Sequence, residues 1–377
     1  MPFMKIRQAY RCAATGRISE NYIDALPKEL TVDPAYTCIP FYRHHQTLFK
    51  EVTIVPWKEF ITPEMKKLFA VKIGHHPETK EQLFARMRKR LEQIILENWK
   101  HHSVHVHLHS SGRDSRLLSF LIKSLSRKYG NRWLGKMVFL CGNNECPYMR
   151  EIMKYEGWKE NRDFFIINAK RNPLEYYKDY FLDFKNAWKW INGVQAKPQN
   201  LLWYLPEVAQ RQGILPEHYQ TWSTLWGNEV LDACSGSGGR ELERSFQKLY
   251  LSHMCSRPKP GDQVIEPFTD ILLAQTVIHS NVRLGKNLRL QFLGFVDRRL
   301  AEFKRADMHG DLRTIADSTL KQMLQKYRES WYGRRVRTIK GLPKTTQFHP
   351  HWSYWTAASL CEYLLEHDYK IKIAGAK

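Results

Sequence analysis

The segment from Val104 to Tyr129 constrains the fold of this chain more than any other part of the sequence. Val104 to His109 alternates apolar residues with histidines, which predicts a β-strand. Four small or polar residues, 110–113, follow, and apolar residues at helical spacing then predict a helix from Asp114 to Tyr129. A strand that passes through a short polar loop directly into a helix is the building unit of parallel α/β sheets.

Neighbouring segments continue this alternation. Further strands are predicted at Lys136 to Cys141, Phe164 to Ile167 and Tyr219 to Leu225, with a helix at Cys146 to Tyr155. These patterns indicate an α/β fold in three parts: an N-terminal extension with an amphipathic helix at 1–99, a parallel-sheet core at 100–260, and a mainly helical, basic C-terminal portion at 261–377. The amphipathic helix is expected at Lys80 to Lys100, and the later helices near Ile271 to Ile278, Leu312 to Leu324 and Trp355 to Leu365.

The charge balance favours phosphate-rich partners. Lys and Arg number 59 against 38 Asp and Glu, which gives a formal net charge of +21. Such an excess attracts polyanions through steering and counterion release, so a nucleic acid or a nucleotide is the expected partner. The alternative is that the charge serves only ATP, pyrophosphate or solubility.

The remaining composition fits an ordinary globular protein. No segment approaches the roughly 18 uninterrupted apolar residues of a membrane span, and the first residues lack an apolar signal-peptide core. The seven cysteines are odd in number and form no CxxC pair, which argues against a disulfide framework or a zinc ribbon. A cytoplasmic location with reduced thiols is expected.

The loop at 110–115 has the composition of a phosphate-binding turn. Small residues at 110–112 let the backbone approach a ligand closely, and the following helix presents its N-terminus to an anion. Ser110 and Ser115 supply hydroxyl groups, and Asp114 can hold Mg²⁺ on the same phosphates. The alternative is an ordinary tight turn in which Asp114 caps the helix.

The residues Ser110-Ser111-Gly112-Arg113-Asp114-Ser115 resemble the Ser-Gly-Gly-x-Asp-Ser signature of the PP-loop ATP pyrophosphatases. The continuation into Arg116-Leu117-Leu118 is similar to the synthetase domain of the asparagine-synthetase family. Ser111 stands where that signature has its first glycine.

Further positions resemble the same family in the same order, over about residues 100 to 345. Cys141-Gly142 matches the end of the second strand, near the adenine. Trp226 to Val230 resembles the segment whose acidic residues bind metal and pyrophosphate, with Asn228 where Asp is usual and Glu229 in agreement. Arg337 to Gly341 is similar to the basic segment that contacts the phosphates.

The resemblance implies an AMP-forming, ATP-dependent ligase that uses Mg²⁺, adenylates a carboxylate or carbonyl oxygen and forms a carbon–nitrogen bond. It implies catalytic roles for Asp114, Arg337 and Lys340, with metal ligands at Asp114 and Glu229. It implies nucleotide contacts at Ser110, Ser111, Gly112, Arg113, Ser115, Cys141, Gly142, Gly227 and Glu229. Residue 2 is Pro rather than the cysteine nucleophile of a glutaminase domain, so the nitrogen is expected from ammonia or from the substrate. The favoured acceptor is a DNA or tRNA base, and the alternative is an amino acid or a peptide.

A glycine-rich segment offers a different enzyme class. Val230 to Gly239 resembles the first motif of S-adenosylmethionine methyltransferases, in which a strand leads into a tight turn around the cofactor. A methyltransferase is therefore the second hypothesis.

Two other patterns point away from ATP chemistry. His105, His107 and His109 share one strand face, a spacing at which two rings can bind one zinc ion. Basic residues are mixed with aromatic residues between Trp331 and Trp355, as they are where proteins contact phosphates and stack on bases. A non-catalytic nucleic-acid-binding protein is the third hypothesis.

Overall fold

A computed structural model of the protein describes residues 9–33, 47–71, 74, 76–101, 103–130, 136–141, 146–166, 183–190, 205–224, 227–252, 264–304, 317–339 and 352–375. Its strands are β1 Tyr10–Cys12, β2 Ile18–Ser19, β3 Glu29–Val32, β4 Val52–Ile54, β5 Val104–Leu108, β6 Lys136–Cys141, β7 Phe164–Ile166, β8 Gln220–Trp222, β9 Val264–Ile265 and β10 Lys370–Ile373. Its α-helices are α1 Pro63–Ala70, α2 Lys80–Asn98, α3 Arg113–Tyr129, α4 Cys146–Glu156, α5 Leu205–Arg211, α6 Ala233–Ser237, α7 Gly239–Ser252, α8 Ile271–Ile278, α9 Leu288–Val296, α10 Arg298–Glu302, α11 Asp317–Glu329, α12 Trp331–Val336 and α13 Trp352–Glu366.

Within the described residues, five parallel strands form the central sheet, in the order β7-β6-β5-β8-β9. The predicted α/β class, with a parallel-sheet core and a helical C-terminal portion, is confirmed. The predicted strands at 104–109, 136–141, 164–167 and 219–225 match β5, β6, β7 and β8 to within a few residues.

The strand order reverses beside β5. The chain moves from β5 to β6 and β7 on one side, and then returns to place β8 on the other side. In open parallel sheets, ligands bind at the carboxyl ends of the strands where the order reverses. Residues 109–115, which follow β5, and residues 223–224, which follow β8, lie at that point.

The two faces of the sheet have different coverings. On one face, α2 presents a buried stripe of Leu83, Phe84, Met87, Leu91, Ile94 and Ile95 to α3, α8 and α9. A capping box between Thr79 and Gln82 fixes the start of α2, since each side chain bonds the backbone of the other residue. On the other face, Val106 and Leu108 pack with α5 in a separate apolar cluster. The amphipathic helix predicted at 80–100 is therefore part of the layer that covers the sheet.

A strand near the C-terminus pairs with a strand from the N-terminal region. β1 pairs antiparallel with β2 and β4, and β10 pairs in parallel with β3, so that Lys370 lies opposite Glu29 and Ile373 opposite Val32. α13 packs on α11 and α12. No helix in the described ranges combines the length and the apolar character needed to cross a bilayer.

Candidate functional site

The loop after β5 adopts a strained conformation at Ser111. Its φ of 48° lies in the left-handed region, which glycine adopts freely and other residues adopt at a cost. Its backbone N–H donates to His109 Nδ1 at 3.1 Å, and its buried Oγ has no hydrogen-bond partner. This conformation gives a physical reason for the glycine of the Ser-Gly-Gly-x-Asp-Ser signature at this position.

Hydroxyl groups connect the loop to the neighbouring strand. Ser110 Oγ lies 3.1 Å from Ser115 Oγ, which lies 3.0 Å from Thr224 Oγ1 just after β8. Gly112 is the N-cap residue of α3, where no side chain caps the helix. Gly112, rather than Asp114, is therefore the cap, and the first turn of a 17-residue helix faces the crevice between β5 and β8.

Arg116 holds the backbone of the loop in place. Its side chain is fully buried, and its Nε donates to the Ser111 carbonyl at 2.8 Å. Its Nη1 donates to the carbonyls of Leu300 and Phe303 at 3.0 and 2.7 Å, at the end of α10. The guanidinium thus joins the loop backbone to a helix C-terminus, where a cation is favoured.

Asp114 lies at the centre of a small charged cluster. Arg289, on α9, donates through Nη1 to Asp114 Oδ2 at 2.8 Å and through Nε to Asp232 Oδ2 at 3.1 Å. Gly227 is packed against the same carboxylate: a Cβ atom there would lie 2.5 Å from Asp114 Oδ2. Two segments distant in sequence, residues 227–232 and α9, therefore meet at Asp114.

The burial of this cluster sets its protonation. Burial raises the pKa of Asp232 to about 6, although Arg289 acts in the opposite direction. Burial also opposes the charge on Arg289, but the two carboxylates outweigh it and raise the pKa of the guanidinium. Asp232 is the last residue of a π-helical turn, Asn228–Asp232, a local irregularity that is common at functional sites.

The three strand histidines have protein partners. Burial lowers the pKa of His105 and His107 to about 4 and that of His109 well below its ordinary value, so all three rings are neutral. His105 bonds the Lys100 carbonyl and accepts from Trp222 Nε1, while His107 donates to the Trp222 carbonyl. Over the residues the structure describes, no three His, Cys, Asp or Glu side chains converge as metal ligands, so the zinc hypothesis has no support there.

The glycine-rich segment is not the strand and turn that the methyltransferase hypothesis requires. Residues 228–237 are helical, and α7 begins at Gly239, so that prediction is wrong. The glycines have a packing role instead. Gly238 turns the chain with φ 77°, and a Cβ atom on Gly239 would lie 2.4 Å from the Phe69 carbonyl oxygen of α1.

The structure brings most of the predicted site residues together. Ser110, Ser111 and Gly112 form the loop, while Arg113, Asp114 and Ser115 form the first turn of α3, where Asp114 lies against Gly227. Cys141 is buried at the end of β6. Glu229 lies in the π-helical turn, but its side chain, like Gly142 and Lys340, is outside the described residues. Arg337 donates to the carbonyls of Gly333 and Arg328, and no described hydrogen bond or ion pair joins it to the loop.

Sequence reasoning missed Thr224, Asp232 and Arg289 as members of this site. One signal could have indicated Arg289, because it is the sole charged residue in the mostly apolar helix Leu288–Val296. Asp232 had a weaker signal, three residues beyond Glu229.

No family model matches the chain, and no curated protein matches it. Among solved structures, the U34-tRNA thiolase NcsA from Methanococcus maripaludis with its 4Fe-4S cluster is similar over 78% of this chain and 82% of its own, at 13% identity and a TM-score of 0.34. Likeness at this level assigns no function.

Proposed function

We propose that the chain is an ATP-dependent enzyme of the PP-loop kind, which splits ATP into AMP and pyrophosphate to activate an acceptor oxygen. One observation carries the proposal. A loop of the form Ser-Ser-Gly-x-Asp-Ser, with a left-handed residue at its second position, leads into a helix without a side-chain cap where the order of a parallel sheet reverses. Such a terminus favours phosphate through its backbone N–H groups and the helix dipole.

Each residue in and around the loop has a separate proposed role. The backbone at 110–115 and the hydroxyls of Ser110 and Ser115 bind the departing pyrophosphate. Arg116 keeps the loop rigid through the Ser111 carbonyl, and Gly227 leaves room for the Asp114 carboxylate. Lys340 and Arg337 remain proposed sources of positive charge for the transition state.

The residues at the loop fit Mg²⁺. Asp114 supplies a carboxylate at the helix terminus, and the buried Asp232 Oδ1 nearby has no hydrogen-bond partner. Asp114 and Glu229 are the proposed ligands, and Mg²⁺ typically binds one or two carboxylates together with substrate phosphates. When bound, the ion supplies neutralisation of charge on the phosphates.

The proposed reaction has two steps. An oxygen of the acceptor attacks the α-phosphorus of ATP, the bond from that phosphorus to the bridging oxygen breaks, and pyrophosphate leaves. A nitrogen nucleophile then attacks the activated carbon, the carbon–oxygen bond breaks, and AMP leaves. Given the net charge of +21, the favoured acceptor is a DNA or tRNA base, and an amino acid or peptide is the alternative.

Nucleotide product analysis tests this function. The purified chain is incubated with Mg²⁺-ATP, alone and with pooled DNA, RNA or amino acids, and AMP is separated from ADP. We expect AMP and pyrophosphate with one pool, and their loss in Asp114→Asn. Asp368→Asn is the matched control because Asp368 is exposed and has φ 63°, a conformation that Asn accepts. ADP as the product, or AMP formation that Asp114→Asn leaves unchanged, would contradict the proposal.

A further inference from the structure

We infer that Arg289 is a built-in counter-ion that occupies a divalent-cation position between Asp114 and Asp232, and that Asp232 is a further carboxylate ligand at that position. The inference rests on the proposed function, because Mg²⁺ is expected there as part of the ATP complex. It adds two residues, Asp232 and Arg289, to which neither the sequence nor the resemblance gave a role.

The geometry is that of one cation held between two carboxylates. Nη1 of Arg289 lies 2.8 Å from Asp114 Oδ2, and Nη2 lies 3.1 Å from Asp232 Oδ2. The carboxylates come from different segments, the first turn of α3 and the end of the π-helical turn. Their side chains are 15% and 10% exposed, and that of Arg289 is 16% exposed, so solvent screens the cluster weakly.

Only one of the two carboxylate oxygens of Asp232 has a hydrogen-bond partner in the described structure. Arg289 bonds Asp232 through Oδ2, whereas Oδ1 is buried and has no hydrogen-bond partner in the described structure. A buried carboxylate oxygen without a partner is costly, so such an atom indicates a ligand. A divalent ion binds carboxylate oxygens. Arg289 leaves Asp232 Oδ1 without a partner, so this oxygen is available to such an ion.

The backbone around the pair is suited to hold it. Gly227 has no side chain, and any Cβ atom there would displace the Asp114 carboxylate. Arg113 also adds positive charge near Asp232 from the loop side, although burial keeps the pKa of Asp232 raised. Two carboxylates, Asp114 and Asp232, therefore lie near two arginines, Arg113 and Arg289, whose guanidinium groups are suited to bind phosphate.

Arg289 and a divalent ion cannot occupy this position together, because the guanidinium lies between the two carboxylates and contacts an oxygen of each. Entry of the ion releases the guanidinium, whose planar fork is well suited to bidentate binding of phosphate oxygens. Before entry, Arg289 keeps the two buried carboxylates from repelling each other. Loading of the metal is thereby coupled to a movement of Arg289.

Binding of Mn²⁺ alone, measured by electron paramagnetic resonance without nucleotide, tests the inference on the full chain. We expect Arg289→Gln to bind Mn²⁺ at least about tenfold more tightly than the wild type, because the competing cation is gone. Adding Asp232→Asn to that variant should cancel the gain. Arg298→Gln is the control, since that side chain is 92% exposed on the adjacent helix, and it should bind like the wild type.

Arg289→Lys provides a second variant if Arg289→Gln does not fold. A lysine has no planar fork and cannot hold both carboxylates in the same way, so an intermediate Mn²⁺ affinity is expected. Mn²⁺ affinities of Arg289→Gln or Arg289→Lys equal to that of the wild type would overturn the inference, as would tight binding that survives Asp232→Asn. Because no nucleotide is present, Mn²⁺ binding can succeed even if AMP formation is never found, which separates failure of this inference from failure of the proposed function.

Discussion

Gly227 lies directly against the Asp114 carboxylate, and a Cβ atom on residue 227 would lie 2.5 Å from Oδ2 and 2.6 Å from Cγ. Atoms at these separations overlap, so either the carboxylate or the helical turn must move. Glycine at 227 is therefore a condition for the position of Asp114. The position of this one carboxylate depends on residues far apart in the sequence.

Gly227→Ala is expected to slow AMP formation about a hundredfold without unfolding the protein. Displacement of a catalytic carboxylate by about 1 Å costs on the order of a hundredfold in rate. The backbone at 227 is helical, so alanine adds no conformational strain of its own. AMP formation and the thermal midpoint should be measured together. Gly236→Ala is the matched control, because its Cβ atom would meet nothing within 4 Å; full activity in Gly227→Ala would show that the contact is unimportant.

Ser111→Gly is expected to stabilise the fold by about 1 kcal/mol. Glycine relieves the left-handed strain of about 1–2 kcal/mol and removes the buried, unpartnered hydroxyl, while its extra entropy in the unfolded chain offsets part of the gain. Ser111→Ala removes the hydroxyl and keeps the strain, so it should be less stable than Ser111→Gly. Urea unfolding midpoints test the order, and a glycine variant less stable than the wild type would refute the strain argument.

Arg116→Met is expected to destabilise the protein by about 3 kcal/mol or more. The change leaves the buried carbonyls of Ser111 and Leu300 and the partly buried carbonyl of Phe303 without this donor, and each unsatisfied buried group costs about 1–3 kcal/mol. Arg298→Met is the control for loss of an exposed arginine and should change stability by no more than about 0.5 kcal/mol. Similar denaturation midpoints for the two variants would mean that the Arg116 hydrogen bonds do not stabilise the fold.

Glu156 is expected to make the protein less stable as pH rises. Burial raises its pKa to about 8, although Ser119 Oγ and Trp158 Nε1 donate to its carboxyl oxygens at 2.8 Å. Between the unfolded pKa near 4.3 and this value, the folded state holds a proton that the unfolded state has lost. The free energy of unfolding should therefore fall with rising pH, by up to about 1.4 kcal/mol per pH unit, and level off above pH 8.

Glu156→Gln removes that proton and should flatten the pH dependence between pH 6.5 and 8.5. The buried histidines shape stability at lower pH, since their lowered pKa values make the folded state lose stability as pH falls below 6.5. The comparison is of slopes, from urea unfolding at several pH values. Parallel slopes for the variant and the wild type would show that Glu156 is ionised in the fold.

The sequence predicted those parts of the structure that depend on local patterns. The strand before residue 110, the loop at 110–115 and the amphipathic helices appear where apolar periodicity indicated them. Pairing of β10 with β3 escaped prediction because strands of four residues carry little periodicity, and their partner lies at the other end of the chain. The glycines at 238 and 239 were interpreted as a cofactor-binding turn, because glycine is favoured both in such turns and where helices pack closely.

The candidate site was predicted only on its loop side. The sequence showed Asp114 and Gly227 separately, but the contact between them depends on how the 227–232 turn packs on α3. The ion pairs of Arg289 with Asp114 and Asp232 likewise depend on the docking of α9, which no local pattern reveals.

Exchange of labelled pyrophosphate into ATP tests the central claim most directly, because it reports reversible formation of an adenylated acceptor at the loop. The measurement uses Mg²⁺-ATP, ³²P-labelled pyrophosphate and the pool that stimulates nucleotide turnover, with no added ammonia. The account predicts that label enters ATP with the wild type and with Asp368→Asn, but not with Asp114→Asn. Turnover that yields ADP without any exchange, or exchange that persists in Asp114→Asn, would contradict it.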